Sequence, residues 1–121
     1  MSALGIARPQ CQPARPIPIL AFNGDQDPLI NYAVAQQALV DWARRDGCQG
    51  EPVREEHGAS FCKRWTQCAA GVEVVACTVT GMAHCWPGNP AVIPGYCTGG
   101  GLAEVDANTL MYDFFERFRL P

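Results

Sequence analysis

The apolar positions of this 121-residue chain fall into two kinds of run, short continuous blocks and helical stripes. Ile17-Pro18-Ile19-Leu20-Ala21-Phe22 is a continuous block closed by Asn23-Gly24-Asp25, the form of a buried strand ended by a turn. Pro18 has no amide proton to give a ladder, so it belongs at that strand's start or on its donor-free side. From residue 31 to 45 the period becomes helical. Val34, Ala38 and Trp42 recur four apart with Ala35 and Leu39 beside them, which makes one apolar face. Asn31 is placed to cap the first turn, Arg44 and Arg45 suit the negative end of the helix dipole, and Gly47 supplies the stop. Residues 47–71 hold four glycines and three cysteines with mixed charge and no period, and read as a long stapled loop. Residues 72–79 are β-branched and nearly continuously apolar, the pattern of a strand covered on both faces. A Gly- and Pro-rich loop over 81–101 leads to a final helix at 106–118. Asp106 is its cap, Val105 staples against Leu110, and Met111, Phe114, Phe115 and Phe118 form its buried stripe.

Strand, helix, strand, helix is the order of an α/β fold with a mainly parallel sheet. The second strand is too apolar for an edge, so it is expected inside a larger sheet whose other strands lie outside this chain. One domain portion is expected over residues 1–121, with 1–15, rich in Pro and Gln, as an irregular lead-in. No internal repeat is visible.

Composition narrows the partners. With 9 Lys+Arg against 12 Asp+Glu the net charge is -3, so there is no basic excess for nucleic acid. No apolar run approaches the roughly 20 residues that span a bilayer, so no membrane partner is expected. Four prolines among the first twenty residues leave no apolar core for a secretory leader there. Seven cysteines are scattered without any C-x-x-C. That spacing argues against a metal site and for disulfides made in an oxidising compartment. Because the count is odd, at least one thiol is left over, and the connectivity stays open. A Cys/His metal protein is the weaker alternative.

Two segments carry candidate chemistry. Asn23-Gly24-Asp25-Gln26-Asp27-Pro28-Leu29-Ile30-Asn31-Tyr32 follows the first strand, and Gly81-Met82-Ala83-His84-Cys85-Trp86-Pro87-Gly88 follows the second. In a parallel sheet both loops open on the edge where ligands collect. An Asp and a His delivered there form the orienting half of a Ser–His–Asp triad. Asp25 is the rival carboxylate, with a turn role as its plainer reading. His57, beside Glu55 and Glu56, reads as a solvated loop residue.

At these residues the chain resembles the C-terminal half of an α/β-hydrolase of the polyhydroxybutyrate depolymerase and feruloyl esterase family. The resemblance covers about residues 15–121. It is densest at 17–32 and 81–88, and extends to the final helix with its Phe114-Phe115 pair. It departs at Asn23, where that family usually has His, and at Ala83, where Gly usually precedes the catalytic His. It implies a partial α/β-hydrolase fold, Asp27 as the triad carboxylate and His84 as the base. The nucleophile is absent, since such enzymes carry it in G-x-S-x-G ahead of the Asp. Here the serines are Ser2 and Ser60 alone, and neither has that setting.

The expected function is therefore a carboxylic-ester hydrolase whose serine lies outside this chain, inactive alone, with an aromatic ester or polyester as substrate. Trp86 and Tyr32 are candidate substrate contacts. The missing N-terminal half of the hydrolase domain is the expected partner, no cofactor or metal is implied, and the location is secreted. The alternative is a non-catalytic, disulfide-stapled secreted binding domain derived from a hydrolase.

Overall fold

The computed structural model describes residues 11–102 and 104–118. Residues 1–10 of the lead-in, with Ser2, lie outside the described residues, and the part at 11–18 contains neither helix nor strand. Four strands and two α-helices follow: β1 (Ile19–Gly24), α1 (Tyr32–Arg45), β2 (Val53–His57), β3 (Ser60–Trp65), β4 (Val74–Val79) and α2 (Ala107–Arg117). The strands form one sheet in the order β1-β4-β3-β2.

The sheet is not mainly parallel, which corrects the expectation from the element order. β1 and β4 are parallel, whereas β3 runs antiparallel to both β4 and β2. The difference lies in residues 47–71, which hold a β-hairpin where a loop is expected. Its turn is Gly58-Ala59 between the paired His57 and Ser60, and Gly58 takes φ 61°, a conformation that two-residue hairpin turns place on glycine. β2 reads Val-Arg-Glu-Glu-His, the charged composition of an edge strand, and so carries no hydrophobic signal. All six residues of β4 are buried, as its sequence implies. Its second neighbour, however, is β3 of this same chain.

Alternation along the central strands sorts side chains to two faces. Ala21 and Ala76 pack with Leu39, and Val74 packs with Trp42 and Ala43, so α1 covers one face. Val75, Cys77 and Cys62 pack with Phe114, joined by Leu20, Phe22, Leu110 and Phe118, so α2 covers the other. Both helices begin at the residues their sequences designate: Asn31 accepts from the Val34 amide at 3.1 Å, and Asp106 from the Thr109 amide at 2.9 Å. Two stripe residues face out instead of in. Val34 is 48% exposed and Phe115 is 61% exposed, because the faces of α1 and α2 centre on Ala38 and Phe114.

Disulfides join Cys48–Cys68, Cys62–Cys77 and Cys85–Cys97, leaving Cys11 unpaired and exposed. Cys62 and Cys77 are directly opposite on β3 and β4. On the same side Arg64 donates to both oxygens of Glu55 and to Glu73, which also accepts from Arg117. The Arg64 hydrogen bonds hold the Glu55 carboxyl below its ordinary range despite its partial burial. Among the described residues no helix is long and apolar enough to cross a membrane.

Candidate functional site

β1 and β4 are parallel, so the chain leaves both at the same end of the sheet. The two exits are tied together by main-chain contacts. The Gln26 amide donates to the Met82 carbonyl at 3.1 Å, and the Gly81 amide to Asp25 Oδ1 at 2.8 Å. Gly24 marks the closest approach: a Cβ there would stand 2.0 Å from the Met82 carbonyl oxygen. The glycine thus lets the loop bearing His84 lie directly against the end of β1.

Across this junction His84 Nδ1 stands 2.8 Å from Asp27 Oδ2. The carboxylate only accepts, so Nδ1 carries the proton and, in the neutral ring, Nε2 is left with a lone pair. Asp27 Oδ1 is occupied as well, accepting the amides of Leu29 at 2.8 Å and Ile30 at 2.9 Å. Burial on its own would raise the Asp27 pKa, but the Ile30 amide, the imidazole and the Leu29 amide outweigh it and hold the group anionic below its ordinary range. The Asp27 side chain is 9% exposed and that of His84 43%, so the acid is enclosed while the imidazole reaches solvent. Among the described residues Nε2 has no hydrogen-bond partner. Such an arrangement fixes one tautomer, stabilises the imidazolium when it forms, and leaves Nε2 to take and return a proton.

Asp25 is spent on the Gly81 amide, which separates it from the imidazole it rivals Asp27 for. Trp86 is 40% exposed; its Nε1 donates to Asn108 Oδ1 at 3.1 Å and its ring lies tilted on Phe22 with centroids 6.3 Å apart. Tyr32 is turned to the sheet, its hydroxyl 2.7 Å from Thr78 Oγ1. Ala83 does not have a positive φ, so the glycine usual at that place in the resembling family is not needed here. Ser60 is 4% exposed, and its Oγ accepts the Thr80 amide at 3.1 Å. His57 pairs with Ser60 at the hairpin turn and is half-buried rather than solvated.

Sequence reasoning missed four contributors, Leu29, Ile30, Asn108 and Tyr96. The Leu29 and Ile30 amides that clamp Asp27 form a turn, and an Asp two or three residues ahead of such amides is its only local signal. Asn108 sits on α2, distant in sequence from Trp86, and nothing local reveals it. Tyr96 supplies the carbonyl that holds the His84 amide at 2.9 Å, and its sequence surroundings are uninformative. Among the described residues no group of three His, Cys, Asp or Glu is placed to hold a metal ion.

The chain is similar to feruloyl esterase B of Piromyces equi, with 32% identity over 127 residues; the match takes in 93% of this chain and 20% of that protein. The chain therefore spans about a fifth of the length of this relative. No protein-family model matches the chain, and no solved structure does.

Proposed function

We propose that this chain supplies the acid–base pair of a carboxylic-ester hydrolase of the feruloyl esterase or polyhydroxyalkanoate depolymerase type. The observation that carries the reading is the 2.8 Å contact between His84 Nδ1 and an enclosed, anionic Asp27. The partial relationship to a feruloyl esterase supports the same reaction class. The attacking serine and the donors for the oxyanion come from the remainder of the hydrolase domain, outside this chain. In the first half-reaction His84 Nε2 takes the serine proton as Oγ bonds to the ester carbonyl carbon. It then delivers that proton to the departing alcohol oxygen, which leaves an acyl-serine. A water molecule repeats the sequence and releases the acid. Throughout, Asp27 holds the tautomer and balances the imidazolium charge. Trp86 offers an exposed aromatic wall beside His84 for the substrate. Tyr32, its hydroxyl held by Thr78, contributes at most the side of its ring. The three disulfides fit a chain that matures in an oxidising compartment and is secreted.

The test is an assay of the longer, serine-bearing protein on aromatic esters and polyesters. By analogy with serine-hydrolase triads, His84→Ala lowers turnover by about 10⁶ and Asp27→Asn by about 10⁴. Undiminished hydrolysis by the His84→Ala protein would refute the assignment. A second reading, a stapled binding domain without chemistry, is favoured by one observation: β4 finds both neighbours, β1 and β3, within this chain. On that reading the chain runs as a stable monomer by size exclusion and gains no activity when joined to the remaining domain.

A further inference from the structure

Residues 89–96 form an excursion in which every residue is exposed. Val92, Ile93 and Tyr96 are 65%, 55% and 53% open to solvent. The excursion's own hydrogen bonds are local ones, an Ile93–Cys97 bridge and the turn bonds beside it. Solvent-exposed bonds of this kind, with so little buried apolar surface, place the segment at the readily opened end of the stability range. Yet its last carbonyl, that of Tyr96, accepts the His84 amide at 2.9 Å, and two residues on the Thr98 carbonyl accepts the Ala83 amide at 2.9 Å. Between these carbonyls lies Cys97, 6% exposed and bonded to Cys85, the residue next to His84. The backbone that follows packs too closely for a side-chain plug, since a Cβ on Gly99 or Gly100 would stand 2.5 Å from a carbonyl oxygen. The Gly88 amide adds a third main-chain bond, to the Gly100 carbonyl at 3.0 Å, and the Cys85–Cys97 disulfide is the one tie among these that local opening cannot break.

We propose that the Cys85–Cys97 disulfide is a positioning staple for His84. It clamps the 96–98 segment onto 83–85 and thereby keeps Nδ1 on Asp27 Oδ2. The excursion is then free to move while the backbone of His84 is not. This inference rests on the acid–base reading of the pair, but its test needs no hydrolysis. A chain that proved inactive in any longer context would sink the hydrolase reading and leave the positioning result standing.

Two measurements on this chain decide it. In the intact protein, the amides of Ala83 and His84 should exchange with deuterium only by the slow route shared with β4, while Val92 and Tyr96 exchange fast. If Ala83 and His84 open together with the excursion, the staple does not isolate them and the proposal fails. The second measurement compares the double variants Cys85→Ala/Cys97→Ala and Cys48→Ala/Cys68→Ala by long-range proton–nitrogen NMR of the histidine rings at pH 8. The first variant should shift His84 from the Nδ1-protonated tautomer toward the Nε2-protonated one favoured in water. It should also speed His84 amide exchange on the order of 100-fold, the loop-closure entropy of a ring of this size. The second variant should leave the His84 tautomer untouched, since neither of its cysteines adjoins the pair. Equal loss of the Nδ1 tautomer in both variants, or in neither, overturns the proposal. Should the first variant fail to fold, the exchange pattern of the intact protein decides alone.

Discussion

Asp25 and Asp27 are two residues apart on one turn, yet they do different work, and the difference is which amides each can reach. Asp25 meets the Gly81 amide and ties the two exit loops. Asp27 meets the amides of Leu29 and Ile30 through one oxygen, which turns the other toward His84. Gly24 sets the spacing on which this depends. A Cβ there meets two main-chain carbonyls, at 2.0 and 2.6 Å, neither of which can rotate away. Gly24→Ala should therefore cost about 1–3 kcal/mol of stability, as overpacking does, and should loosen the Asp27–His84 contact. Urea unfolding together with the His84 tautomer checks both; a variant as stable as the parent with an unaltered imidazole would show that the loops do not press on β1.

At the scale of elements, α2 separates two neighbouring aromatics that its sequence alone groups together. Phe114 is 3% exposed under the sheet, whereas Phe115 points outward at 61%. The helix turns about 100° per residue, so adjacent positions cannot share one narrow face. Phe114→Ala should cost about 3–5 kcal/mol, and Phe115→Ala no more than about 0.5 kcal/mol, read from urea midpoints. Comparable losses for the two would mean that α2 is rotated from its described seat. The same helix was legible in position and cap because both signals lie within four residues of each other. The hairpin β2–β3 was not, since its edge strand is charged and the one buried cysteine of β3, Cys62, gives no period by itself.

At the scale of the whole molecule, acid stability depends on carboxyls that burial and pairing displace in opposite directions. Asp27 and Glu55 are held below their ordinary values of 3.8 and 4.5. The unfolded chain therefore takes up protons first as pH falls, so their contribution is full above about pH 5 and lost through their folded values. Asp46 runs the other way. It is 1% exposed at the end of α1, burial raises its pKa, and one oxygen accepts the Ile17 amide at 3.1 Å while the other has no hydrogen-bond partner among the described residues. Its ionised form costs stability at neutral pH, and that cost disappears as pH falls through its raised range. Asp46→Asn keeps the Ile17 bond and removes the charge, so its urea midpoint should exceed the parent's at pH 7 and converge on it in acid. A midpoint gap that stays constant from pH 7 to pH 3 would show that the Asp46 charge is not the cause. Reduction of all three disulfides, each closing a ring of 12 to 20 residues, should remove about 3 kcal/mol per bridge, enough to unfold a domain of this size.

Local chemistry decided both helices and their caps and the two apolar strands. Each of these is written in period, turn or cap signals spanning a few consecutive positions. Folding in three dimensions decided the rest: that a hairpin from residues 53–65 completes the sheet and makes it mixed, which cysteines join, and which of two aspartates faces the imidazole. The disulfides and the Asp27–His84 contact join residues 12 to 57 positions apart, and the sheet becomes mixed only when β3 meets β4. Their energies arise only when the surfaces meet, so no short stretch of chain carries a mark of them.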